Sequence, residues 1–384
     1  MVQLGAKPAT TKQRPIIDRA RQHHRILVLE SLGSSDNASR FVTPHAARAR
    51  FLVAAFDVLK EQYKQLRLRL KDLAPQLDLK LIEHAKPDYI SHTILRNNLF
   101  GVDINAESIE ITKLSLWLKT AERGHKLAGL EANFYQGNSL VTDPSLDPQA
   151  FDWQAHFNTV FTPNKIAPQA INTPTTGQND AENAGFDVIL GNPPYVRQEL
   201  FTNLKPYLQQ HYSAYHGVAD LYVYFYELGL CKLLRTGGRL GFISSSSFFK
   251  TSSGEPLRRL LRQQGQIETL VDFGDWQVFE GVTIYPAIVV VQKTAPDDNV
   301  PAQFLQLSVA VPDLSATFEE SKQSLNTAQL SGADGIDAGD AAEWQLEGNE
   351  AAALRDKLTH GHASLKKFLA HLCTASKLAL TKPS

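Results

Sequence analysis

Two short segments, Phe186-Asp187-Val188-Ile189-Leu190 and Ile284 to Gln292, are apolar almost without a break, and they most constrain what this chain can fold into. A strand with one wet face alternates between apolar and polar residues, so a run without alternation belongs to a sheet covered on both faces. Arg239-Leu240-Gly241-Phe242-Ile243, introduced by Gly237-Gly238, and Ile267 to Phe273 read the same way. Upstream, Leu99-Phe100-Gly101-Val102-Asp103-Ile104 is followed by helical spacing through Ile109, Leu114 and Leu118, and then by a short strand over Asn133 to Gln136. A further helix is expected around Asp220 to Leu234. This β-α-β rhythm predicts an α/β fold, a doubly wound and mostly parallel sheet with helices on both faces.

The remaining segments set domain limits. Residues 1–49 mix Pro, Arg, His and Ser with no sustained helical or strand period, whereas Phe51 to Ile82 carry helical apolar spacing interrupted at Pro75. Residues 158–185 are rich in Pro, Asn, Thr and Gln, which suits an exposed insertion. After Lys293 the pattern weakens, and Ser331 to Asp340 reads as linker. The expected organisation is therefore an anomalous segment 1–49, a catalytic domain 50–295 and an extension 296–384. No run approaches the roughly 18 apolar residues of a membrane span, and a cytoplasmic protein is expected. Two cysteines, Cys231 and Cys373, stand far apart and offer neither a disulfide framework nor a metal site. A net charge of −1 gives no global field toward a polyanion, so nucleic acid would have to be met by a local basic surface or by a module outside this chain.

The most chemically specific stretch is Asn192-Pro193-Pro194-Tyr195, directly after the apolar run and Gly191. Open α/β sheets bind ligands at the carboxyl ends of their strands. Two consecutive prolines hold the backbone extended and leave its carbonyls free to accept. The amide oxygen of Asn192 and the carbonyl of Pro193 could take both hydrogens of a planar amine, draw its lone pair out of conjugation and aim it at a methyl donor. Tyr195 adds an aromatic face for a base removed from a duplex. A rigid Pro-Pro turn is the plain alternative.

With these residues the chain resembles the N6-adenine DNA methyltransferases of restriction-modification systems, above all the methylase portion of type IIG enzymes. The resemblance runs from about Arg50 to Lys293. It rests on Phe186 to Glu199, on Tyr215-His216-Gly217-Val218-Ala219-Asp220-Leu221-Tyr222, and on Asp272-Phe273-Gly274-Asp275. It implies a Rossmann-like, class I methyltransferase with a seven-stranded sheet, S-adenosyl-L-methionine as cofactor, no metal, and double-stranded DNA with one flipped adenine as substrate. Target-recognition and nuclease modules would lie outside this chain. By the same resemblance Asp103 accepts from the cofactor ribose, Ile104 packs on its adenine ring, and Asn138 hydrogen-bonds that adenine. Asn192, Pro193, Pro194 and Tyr195 are the catalytic residues, and Phe279 joins Tyr195 in stacking on the target base. Each has an ordinary alternative: a helix cap for Asp103, core for Ile104, a turn for Asn138, a partial core residue for Phe279. Phe248 and Phe249 compete with Phe279. Asp220, Tyr222 and Tyr224 would border the pocket, with helix capping equally open for Asp220.

The chain departs from that family at one place. Where the family carries Asp-Pro-Ala-Cys-Gly-Ser-Gly, the loop against which the cofactor's methionine lies, this chain has Thr43-Pro44-His45-Ala46-Ala47-Arg48-Ala49. Those residues can be encoded so that a shift of one base restores the family's loop, and Thr374 to Ser384 can likewise be read, one base over, as a family-like phrase. Frame changes near Ala49–Arg50 and between Leu365 and Thr374 are the expectation, with a cofactor loop lost and activity impaired. Two other functions compete: methylation of a protein glutamine or of RNA, and a non-catalytic remnant.

Overall fold

The computed structural model describes residues 26–30, 45–72, 87–121, 129–162, 184–279 and 284–325, with residues 330, 343, 344, 346, 354 and 357. The apolar runs form strands of one mixed, nine-stranded sheet: β1 (Ile26–Glu30), β2 (Leu99–Asp103), β3 (Phe134–Gln136), β4 (Phe186–Asn192), β5 (Leu234–Ser245), β6 (Gln266–Asp272), β7 (Pro286–Gln292), β8 (Ala302–Gln306) and β9 (Gln323–Leu325). Their spatial order is β3-β2-β1-β4-β5-β7-β6-β8-β9. Strands β3, β2, β1, β4 and β5 are mutually parallel, β7 runs antiparallel between β5 and β6, and β8 continues parallel to β6. Strand β9 closes the sheet antiparallel to β8. Among the described residues the sheet therefore has nine strands where seven were expected.

Three of those strands fall outside the limits drawn from the sequence. β1 lies within residues 1–49, yet it pairs with β2 on one side and β4 on the other, placing Glu30 opposite Asn192. A five-residue strand flanked by polar sequence has no periodicity long enough to read. At the other end, β8 and β9 belong to the presumed extension but hydrogen-bond to the main sheet. Trp344 is almost wholly buried and extends the same core.

The helices are α1 (His45–Asp72), α2 (Pro87–Asn97), α3 (Ala106–Thr120), α4 (Trp153–His156), α5 (Asn158–Phe161), α6 (Lys205–His211), α7 (Tyr222–Glu227), α8 (Glu255–Gln264) and α9 (Leu314–Ser321). On one face of the sheet Leu52, Phe56 and Leu59 of α1, Ile90 and Ile94 of α2, and Ile109 and Leu116 of α3 pack over Leu99 and Phe134. Phe100 and Val102, of opposite parity in β2, join Phe186, Ile189 and the aromatic residues of α7 on the other face. Covering both faces is what the unbroken apolar runs require.

Several local readings change. Leu114 and Leu118 are in α3 but point to solvent, while Ser108, Ile109, Thr112 and Leu116 are its buried residues. The segment 158–185 opens with the short helix α5, whose Val160 is in the core, and Gly185 is buried at its far end. Residues 163–183 lie outside the described residues, as do Pro75, Ser331 to Asp340 and Thr374 to Ser384. The expected helix over 220–234 is α7 followed by a π turn, Leu228–Leu233, ending where β5 begins. Among the described residues no helix is long and apolar enough to cross a membrane.

Candidate active site

Because β1 to β5 are parallel, their carboxyl ends share one edge of the sheet, and strand order reverses between β1 and β4. Such a reversal opens a crevice where α/β sheets bind ligands. Asn192 ends β4 there. Its amide oxygen is buried and has no hydrogen-bond partner. A buried unpaired carbonyl costs about 1–3 kcal/mol, and such an acceptor is open to a donor brought by a ligand. Pro193 and Pro194 are buried and carry the chain on to Tyr195.

Tyr195 is half-buried, its hydroxyl donates to the Ile243 carbonyl at 3.3 Å, and burial pushes its phenol well above the ordinary range. The Phe279 ring stands 6.3 Å away at an interplanar angle of 54°. A flat base held between two parallel rings needs about 7 Å between their planes. One ring has to turn before both can stack. The sequence-expected pair is thus brought together, from the ends of β4 and the loop after β6. The competitors are elsewhere: Phe248 and Phe249 are buried, and Trp344 stacks on Phe249 at 5.5 Å.

Next to Tyr195 the chain around β5 is held by buried side chains. Tyr226 and Ser244 hydroxyls are 2.8 Å apart, and those of Tyr222 and Ser247 are 3.1 Å apart. Arg258, itself buried, donates to the carbonyls of Phe248 at 2.5 Å and Thr251 at 2.8 Å, tying down the turns after β5. A Cβ at Gly254 would collide with the Phe248 backbone, so only glycine lets this loop close on itself. None of these residues carries a sequence signal beyond ordinary core composition.

On the other side of the reversal, Asp103 ends β2, is buried, and accepts the Asn105 N–H at 2.7 Å. It does not cap α3. That role belongs to Asn105, whose side chain accepts from Glu107 and Ser108. Ile104 is partly exposed, and its carbonyl takes the side-chain amides of Gln136 at 3.2 Å and Gln149 at 3.3 Å. Asn138 donates to Asp147 at 2.6 Å and accepts the Leu140 N–H at 3.1 Å, so its amide builds the loop after β3. A carboxylate acceptor at a strand end is thus followed by a partly exposed aliphatic residue, with a polar loop after β3. Of Thr43 to Ala49, the first two residues lie outside the described residues, and His45 to Ala49 are in α1.

The two other motif stretches acquire definite roles. In Asp272-Phe273-Gly274-Asp275 the Asp272 carboxylate accepts the Gly274 N–H at 3.0 Å, and Gly274 has φ +53°. This is a left-handed turn that ends β6. Asp220 does not cap α7, whose N-cap is Leu221 and has no side-chain cap. Burial raises its carboxyl pKa, Arg197 opposes this, Glu199 adds to it, and a hydrogen bond from the Gln198 backbone lowers it. Tyr222 and Tyr224 are buried beside it.

Comparison with known proteins places the similarity across this edge of the sheet. Residues 97–279 match the family model for the Eco57I restriction-modification methylase. The type II methyltransferase M.XhoI of Xanthomonas vasicola is 41% identical over 113 residues, 29% of this chain and 20% of that protein. The type II restriction enzyme and methyltransferase RM.Eco57I of Escherichia coli is 27% identical over 278 residues, 68% of this chain and 25% of that protein. The chain thus spans a quarter or less of the length of these relatives. Among solved structures, the M protein of the type I restriction enzyme EcoKI superposes with a TM-score of 0.41 at 13% identity, over 82% of this chain and 51% of that one. The matched stretch begins just before β2, contains both Asp103 and Asn192 and ends at Phe279, so over residues 97–279 this chain is similar to the methylase of the Eco57I restriction-modification family.

Proposed function

We propose that this chain is the catalytic part of a site-specific DNA methyltransferase that methylates the N6 amino group of a flipped adenine within a restriction-modification system. The observation that carries this reading is the buried, unpartnered amide oxygen of Asn192 at the carboxyl end of β4. An exocyclic amine is the group it lacks. With the Pro193 carbonyl as second acceptor, both amine hydrogens are held and the nitrogen lone pair is turned out of the ring. Tyr195 and Phe279 receive the base face after it leaves the stack. The prolines keep Asn192 and Tyr195 in one orientation, so little reorganisation is needed when the base arrives. S-adenosyl-L-methionine, when bound, supplies an electrophilic methyl group on a sulfonium, and Asp103, Ile104 and Asn138 are the residues that would hold its adenosine half. The setting is the cytoplasm, beside target-recognition and nuclease modules outside this chain.

The test, made on a chain carrying Asp-Pro-Ala-Cys-Gly-Ser-Gly at positions 43 to 49, is transfer of tritiated methyl groups to genomic DNA from an unrelated, unmethylated host, with the products separated as nucleosides. Label in N6-methyladenine that disappears in Asn192→Ala supports the reading. Label in protein, in RNA or on cytosine would overturn it.

A further inference from the structure

The loop after β3 and the turn after β4 form the two sides of the crevice, and β2 and β1 stand between their strands. Three strand spacings separate them by about 14 Å, too far for a hydrogen bond from one to the other. The chain running from α6 to α7 bonds to both. On the first side, the buried Tyr212 donates its hydroxyl to the Leu140 carbonyl at 2.9 Å, two residues beyond Asn138. Tyr207 of α6 accepts the Thr142 N–H in the same loop at 3.1 Å. On the second side, the Leu221 N–H donates to the Val196 carbonyl at 3.0 Å, directly after Tyr195. Between these ends the buried carboxylate of Glu227 accepts the N–H groups of Ser213 at 2.9 Å and Ala214 at 2.7 Å, fixing the chain as it leaves Tyr212.

We propose that Tyr212 is a positioning residue whose hydroxyl ties the loop after β3 to the segment ending on the Val196 carbonyl, so that the two sides of the crevice keep a fixed separation. The ring itself is held by packing: Lys232 Nζ stands 3.9 Å over its face, and the Tyr224 ring meets it edge-on at 5.6 Å. A phenylalanine would fill the same space, so the hydroxyl adds only the bond to Leu140. That bond matters for methyl transfer because the rate falls steeply when donor carbon and acceptor nitrogen are displaced by even an ångström. The inference rests on the proposed placement of the cofactor's adenosine at the loop after β3 and of the target base at Tyr195.

The test compares Tyr212→Phe with the unaltered chain by hydrogen–deuterium exchange, and by fluorine NMR of 3-fluorotyrosine placed at position 195. Exchange over Leu140 to Thr142 should rise about tenfold, exchange at the Leu221 amide should rise with it, and the position-195 signal should shift and broaden. Exchange over β6 and β7 should stay as it is. A response confined to Leu140 to Thr142, with the position-195 signal unmoved, would show a local hydrogen bond with no positioning role and overturn the proposal. Unchanged exchange at both ends, or equal loosening of β6 and β7, would overturn it as well. Neither readout needs cofactor or DNA, so a protein that methylates nothing defeats the proposed function while leaving this tie to be judged by itself.

Discussion

At Asn192 a polar atom is buried without a partner, and the consequences for activity and stability point in opposite directions. Asn192→Ala should abolish methyl transfer in a chain with the cofactor loop restored. Its melting temperature should be equal to or above that of the parent, because the substitution removes an unsatisfied group worth about 1–3 kcal/mol. A clear drop in melting temperature would show that the amide has a structural partner. Tyr195→Ala and Phe279→Ala should each weaken handling of the extruded base by about 1–3 kcal/mol, read from a fluorescent base analogue at the target position; an unchanged signal in both variants would refute the pocket. Asn192, Pro193, Pro194 and Tyr195 were legible because one contiguous motif carries them. Ile243 was not, since it acts through a carbonyl that every residue possesses.

At the scale of elements, sequence pattern located most strands within a residue or two, because the signal is local burial and the sheet is covered on both faces. It misjudged the faces of α3, where Leu114 and Leu118 keep helical spacing but lie off the buried stripe. The π turn between α7 and β5 also had no separate signature. Cys231 sits in that turn, half-buried, and burial pushes its thiol up to about 11. At pH 8 roughly one in a thousand of these thiols is ionised, and the thiolate is the reactive form. In a Cys373→Ser variant, Cys231 should therefore resist a disulfide reagent at pH 8 until the protein is unfolded. Rapid labelling of the folded protein would contradict the packing of this turn.

For the whole molecule, the sheet reaches from β1 to β9 and the core continues to Trp344, beyond both limits drawn from periodicity. Trp344→Ala should cost about 3–5 kcal/mol in denaturant unfolding, as truncation of a fully buried tryptophan does. A cost below about 1 kcal/mol would fit an exposed aromatic instead, and would mean that this residue is not part of the core. The departure at Thr43 to Ala49 makes a second test at this scale. Close approach of backbone to a ligand needs glycines, and the stretch Thr43 to Ala49 contains none. The chain as written should fail to bind S-adenosyl-L-methionine in a titration, while a chain carrying Asp-Pro-Ala-Cys-Gly-Ser-Gly at positions 43 to 49 binds it. Equal micromolar binding by both would show a genuine variant loop. The amino-acid sequence alone determined the α/β class, the strands long enough to show a period, and the chemistry of the Asn-Pro-Pro-Tyr turn, because each is written in a few neighbouring residues. Only the tertiary structure decided that β1 stands between β2 and β4, that Phe279 meets Tyr195, and that the Leu221 N–H reaches back to the Val196 carbonyl. These depend on strand order and on chain segments meeting across the fold, and no local pattern encodes a contact between segments whose separation is closed only by folding.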